Sequence, residues 1–172
     1  MSFAFGHLAG AWCAGKIYEF FSKKKIGHYA WFFLLFGGIL PDADFVLDWT
    51  LGTELHRTVT HSFLFLIFAP LLVYVFFSIL KHEEKGSFAL FLGLGIATHL
   101  FLDGFSTYGN PLLWPKEWYF SFFSGFTPHI PDGGLLEGNA EVLLHKLKLA
   151  IADMAIGTAW ILYLWFRKRI QF

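Results

Sequence analysis

Cysteine is almost missing from this chain: the single Cys13 excludes an intrachain disulfide and any thiolate zinc knuckle. Charge is scarce as well. Only 15% of the 172 residues are Asp, Glu, Lys or Arg, whereas a soluble domain carries about 25%. Thirteen basic residues balance thirteen acidic ones. No basic surplus exists to hold a nucleic acid backbone, and little net charge keeps so apolar a chain in water. What is abundant is hydrocarbon and aromatic surface: 56% of the residues are hydrophobic, with 23 Phe and 7 Trp. The composition predicts one integral-membrane domain over residues 1–172, an all-α polytopic bundle of about five transmembrane helices.

The clearest span is Ser62 to Leu80, which holds no charge and nearly matches the roughly 20 residues that cross a bilayer. Pro70 within it is tolerated in a membrane helix, where neighbouring groups satisfy the freed backbone. Leu147 to Phe166 and Ser87 to Asp103 are further spans, the first interrupted by Asp153. Phe3 to Phe21 is rich in Gly and Ala, residues that let membrane helices approach closely. Its length and its polar His7, Lys16 and Glu19 distinguish it from a cleaved signal peptide. Gly27 to Leu40 reaches only about 21 Å as a helix, against a hydrocarbon core of about 30 Å. Either this helix starts earlier, or it stops short and leaves Asp42 and Asp44 in a protein-lined cavity below the headgroups. With five crossings, nine basic residues fall on one side and four on the other. The basic side, with the C-terminus, is then expected in the cytoplasm of a multi-pass cell-membrane protein.

The unusual polar residues come in groups at the ends of apolar segments: His7, then Asp42 and Asp44 after Pro41, then His56-Arg57-Thr58-Val59-Thr60-His61, then His99 and Asp103. Alternating helix directions place all of them at the non-cytoplasmic face. Ionisable groups in membrane segments are costly and mark function. His99 and Asp103 are four apart on a helix and share one face, which suits two ligands of one ion or a plain hydrogen-bonded pair. Asp42 and Asp44 repel each other unless a cation or a proton intervenes; read alone, Pro-Asp-x-Asp is also a helix stop. His61, with His56 beside it, is a candidate ligand, and Thr60 a residue that orients one. Arg57 offers a planar fork for a phosphoryl oxygen, or meets lipid phosphate in an interfacial loop. Glu141 and His145, spaced i,i+4 at the start of helix five, either complete the ligand set or cap that helix. Mixed imidazole and carboxylate donors select zinc first, with manganese or iron as alternatives. The number of candidates exceeds what one tetrahedral ion needs, so one to three divalent ions are expected. His28 and His82, beside lysines, read as solvated, and His129 is undecided.

Between helices four and five, Phe105 to Asn139 carries Trp114, Trp118, Tyr119, Phe120, Phe122, Phe123 and Phe126 with four prolines. Such density fits the membrane–water interface, and the segment reads as an aromatic interfacial loop or hairpin beside the polar cluster.

Together Gly6-His7, GGILPDAD (Gly37 to Asp44), HRTVTHS (His56 to Ser62) and HLFLDGFSTYGNPLLWP (His99 to Pro115) resemble the YdjM-like family, described as membrane-bound metal-dependent hydrolases and as LexA-binding inner-membrane proteins. The resemblance covers the chain to about residue 120. That family is in turn similar to the helical zinc-dependent phospholipase C and nuclease group, whose metal cluster takes His and Asp from several helices. This implies His7, Asp42, His61, His99 and Asp103 as ligands. Glu141 and His145 match that group's His-x-x-x-Glu pair only in reversed order and stay as candidate ligands.

The expectation that follows is metal-activated hydrolysis of a phosphoester, with a membrane lipid as substrate. Asp44 or His56 would take the proton, and Arg57 would steady charge on the phosphate. A metal transporter or sensor, or a non-enzymatic membrane anchor, is the alternative. The oligomeric state is left open.

Overall fold

A computed structural model describes residues 4–44, 50–51, 57–106, 109–128, 148, 151–152 and 155–163. Helix α1 covers Ala4–Ser22 and α2 His28–Ile39, followed by a 3-10 turn at Leu40–Ala43. A second 3-10 turn, Val59–His61, leads into α3 at Phe63–Ile79, and α4 covers Lys85–Asp103. Residues 155–163 are helical, inside the segment expected to form helix five.

Helix α4 is the centre of the fold because its buried residues run as one continuous stripe. Phe88, Phe91, Leu92, Gly95, Ile96, His99, Leu100 and Asp103 are all buried, at the three- and four-residue intervals that keep side chains on one helix face. Helix α2 lies along this stripe, and α1 and α3 flank it. One apolar cluster joins Ala11, Ala30, Trp31, Leu34 and Phe91; another joins Ala69, Leu92, Ile96 and Leu100.

Glycine sets the distance between α2 and α4. A Cβ at Gly37 would run into the Leu92 carbonyl, and one at Gly95 into the Leu34 carbonyl. Backbone therefore touches backbone, as small residues permit in membrane helices. Gly38, next along, faces Ala11 and the His7 carbonyl of α1.

Helix α2 begins at His28, not earlier, and its 12 residues span about 18 Å. The helix therefore does not start earlier than the sequence suggested. Asp42 and Asp44 then sit in the following turn, Asp44 buried and Asp42 partly so.

One expectation needs correction. The fold is not all-α: Trp118–Ser121 (β1) pairs antiparallel with Gly125–Pro128 (β2) inside the aromatic segment. The run Trp-Tyr-Phe favours a strand, and Gly125 closes the three-residue connection at φ 67°, a left-handed conformation that glycine adopts without a Cβ penalty. This hairpin is tied to the end of α4, since Phe122 donates its N–H to the Gly104 carbonyl and Asn110 exchanges backbone hydrogen bonds with Phe120. Among the described residues only α4 is both long and apolar enough to cross by length and composition. Helix α3 is strongly apolar but has 17 residues, because the Val59–His61 turn takes up the chain just before it. Residues 129–147, with the end of the interfacial segment and the expected start of helix five, lie outside the described residues.

Candidate metal centre

The buried stripe of α4 is apolar for most of its length and turns polar at His99 and Asp103. The stripe of α1 does the same in the opposite direction, with Ala11 and Gly15 preceded by buried His7. The 3-10 turn after α2 delivers Asp42, and the one before α3 delivers His61. Four helices thus meet with their polar ends together. His7, His61, His99 and Asp103 are each no more than 3% exposed, whereas the Asp42 side chain keeps 23% of its surface.

Four donor atoms converge: His61 Nε2, His99 Nε2, one oxygen of Asp42 and one of Asp103. The two nitrogens are 3.3 Å apart. His61 Nε2 lies 3.4 Å from Asp42 Oδ1 and 3.5 Å from Asp103 Oδ2, and His99 Nε2 is 3.6 Å from each of the same oxygens. All four atoms fall within 4.8 Å of one another. A regular tetrahedron with edges of 3.3–3.6 Å has its centre about 2.0–2.2 Å from each corner, the length of zinc–nitrogen and zinc–oxygen bonds; five of the six edges here have that length, and the two oxygens lie no more than 4.8 Å apart. The residues fit a divalent cation.

The outer nitrogens show which way the lone pairs face. His99 Nδ1 is 2.8 Å from the Gly38 carbonyl. A carbonyl only accepts, so Nδ1 carries the hydrogen and a neutral ring presents its lone pair at Nε2. Behind His61, the Thr60 hydroxyl donates to Asp44 Oδ2 at 2.5 Å and lies 3.0 Å from His61 Nδ1. With its own hydrogen given to Asp44, the hydroxyl accepts from Nδ1–H, and Nε2 again faces inward. Two lone pairs at 3.3 Å beside two carboxylates need a proton or a cation between them.

The Thr60 relay leads to a specific expectation. Thr60→Val, which keeps the shape and removes the hydroxyl, should weaken metal affinity about 10–100-fold, the usual cost of losing an outer hydrogen bond to a ligating histidine. Thr60→Ser should retain most of it. Competition titration against a chromogenic chelator measures both.

Of the other residues singled out from sequence, His7 joins the cluster from the far side, with Nε2 3.3 Å from Asp103 Oδ1 and 3.8 Å from Asp42 Oδ2. Asp44 stands behind His61, its Oδ2 3.7 Å from Nδ1, and not among the converging atoms. Arg57 is buried with φ 58°, and its guanidinium donates to the Gly109 carbonyl and to Ser106 Oγ, each at 3.4 Å. Its charge acts on Asp103. His28 and His82 are exposed. His56, His129, Glu141, His145 and Asp153 lie outside the described residues.

Sequence reasoning did not reach the Gly38 carbonyl, Ser106, Gly109 or Asn110. Asn110 is fully buried and donates through Nδ2 to the carbonyl of Leu100, the residue after His99 and three before Asp103, at 2.8 Å. A polar residue between Gly109 and Pro111 reads as an ordinary turn, and a backbone carbonyl carries no residue signature.

No curated protein and no solved structure matches this chain. The family model described as YdjM inner membrane protein does match, over residues 1–170, with every described element and every residue of the metal centre inside that range. By that match over nearly its whole length, the chain belongs to the YdjM inner membrane protein family.

Proposed function

We propose that this protein is a multi-pass membrane hydrolase whose metal centre cleaves a phosphoester of a membrane lipid at the non-cytoplasmic face. The observation that carries the proposal is the gathering of donor atoms from His61, His99, Asp42 and Asp103 within 4.8 Å of one another, with both outer imidazole nitrogens turned to acceptors. Membership of an inner membrane protein family and the surface of α3 support the setting. Ile67, Leu72 and Phe76 are more than half exposed there, and Ala69 is that helix's buried residue. Lipid is the matching solvent for such a flank. The surplus of basic residues belongs to the opposite side from the metal centre.

A divalent cation in this centre supplies Lewis acidity, which lowers the pKa of a coordinated water toward about 7 and polarises a phosphoryl oxygen. The protein's own groups do the rest. Asp42 and Asp103 hold the negative charge that retains the cation, and the backbone carbonyl of Gly38 and the Thr60 hydroxyl fix the two rings. Arg57, held by Ser106 and Gly109, keeps a positive charge beside Asp103 that steadies an anionic phosphate. Asp44 is committed to Thr60, so it positions His61, and His56 is the remaining group for taking the proton. The partial exposure of Asp42 marks the side from which a headgroup enters.

Protein purified in detergent and loaded with zinc or manganese should release phosphate or headgroup from one or more members of a phospholipid and phosphoester panel. A chelator should abolish the release, and added metal should restore it. Metal-loaded protein that is silent on the whole panel would refute the hydrolase reading, and metal flux into proteoliposomes would then identify a transporter.

A further inference from the structure

The two carboxylates of the cluster do not point all their oxygens at one place. Asp42 turns Oδ1 to His61 and His99, at 3.4 and 3.6 Å, and Oδ2 to His7, at 3.8 Å. Asp103 divides in the same way, with Oδ2 3.5 and 3.6 Å from His61 and His99, and Oδ1 3.3 Å from His7. The His7 and His99 rings stack with centroids 3.7 Å apart and 17° between planes, so they offer their Nε2 atoms side by side to different oxygens of the same carboxylates.

We infer that the centre holds two metal ions bridged by Asp42 and Asp103, one on His61 and His99 and the other on His7. This rests on the reading of the cluster as a metal site and deepens it. The first position has four protein donors, which leaves the open coordination position that the proposed hydrolysis needs to the second. The second has three among the described residues, the number that leaves a coordination position for water or substrate. Two-metal sites of this kind, with ions about 3.5–4 Å apart, clamp the attacking and leaving oxygens of a phosphoryl displacement. Two divalent ions on two carboxylates also leave a positive surplus, to which Arg57 adds. The substrate class that complements it is an anionic phosphoester, and entry is on the side of the partly exposed Asp42.

The rival arrangement is a single ion with His7 donating its Nε2–H to Asp103 Oδ1. Metal counting separates them. Detergent-purified protein equilibrated with manganese and freed of excess should contain two ions per chain by elemental analysis, with an exchange-coupled electron paramagnetic resonance signal. His7→Ala should contain one ion per chain and an uncoupled signal, and His7→Gln, which keeps more of the side-chain volume, should do the same. One ion in the wild type would overturn the two-ion inference while leaving a metal centre in place. Two ions in both His7 variants would overturn the assignment to His7. No bound ion in the wild type would remove both the inference and the metal reading beneath it.

Discussion

His61→Ala protein should lose at least about 100-fold in metal affinity, or about 2.7 kcal/mol, and should leave purification with little metal bound. The expected loss is set by position. His61 Nε2 is within 3.5 Å of three of the other converging atoms, so its removal takes away a corner of the tetrahedron and not an outlying contact. Losing an outer hydrogen bond to a ligand already costs about 10–100-fold, and losing the ligand itself costs more. The change also leaves Asp42 and Asp103 facing each other with less compensation in a largely buried site, a situation that proteins avoid. His82→Ala is the control: His82 is exposed, and its removal should leave metal content unchanged. Elemental analysis of the three proteins, prepared side by side, makes the measurement. Unaltered metal content in His61→Ala would mean that the ion, if present, sits elsewhere.

The second large effect is expected from a residue with no chemistry of its own. Gly95→Leu should prevent accumulation of folded protein, and Gly95→Ala should lower the melting temperature by about 5–10 °C. A Cβ at Gly95 collides with the Leu34 carbonyl and approaches Gly38 N and Gly37 C at 2.8 and 2.9 Å. All three are backbone atoms of α2, which cannot step aside as a side-chain tip can. The same displacement moves the Gly38 carbonyl away from His99 Nδ1, so Gly95→Ala should lose metal affinity together with thermal stability. Gly86→Ala, on the same helix with open space around the added methyl, should be neutral or slightly stabilising. A thermal-shift series with and without added zinc reads both effects. Equal behaviour of the two alanine variants would contradict the close crossing of α2 and α4.

Much of the site was legible without coordinates because ionisable residues are so rare in this chain. Against a background of Phe, Leu and Gly, His7, Asp42, His61, His99 and Asp103 stand out, and alternating helix direction is enough to bring them to one end. The i,i+4 spacing of His99 and Asp103 carried a shared helix face, and Pro41 after the short apolar run carried the end of α2. The hairpin was less legible. Its strands are four residues each, too short for alternation to be distinctive, and aromatic residues suit an interface and a strand alike. The division of labour between Asp42 and Asp44 was not legible at all. Two carboxylates separated by one alanine look equivalent on paper, and the 3-10 turn sends one among the converging atoms and the other behind His61.

From its letters alone this chain determines an apolar helical protein with imidazoles and carboxylates at helix ends, because hydropathy and helical spacing are local properties of the chain. Which oxygen faces which nitrogen, that Gly38 and Thr60 set the rings, and that Arg57 is fastened to Ser106 were decided only in three dimensions. Those contacts join residues far apart in the chain, and their geometry follows from how closely the backbones of α2 and α4 can meet at Gly37 and Gly95.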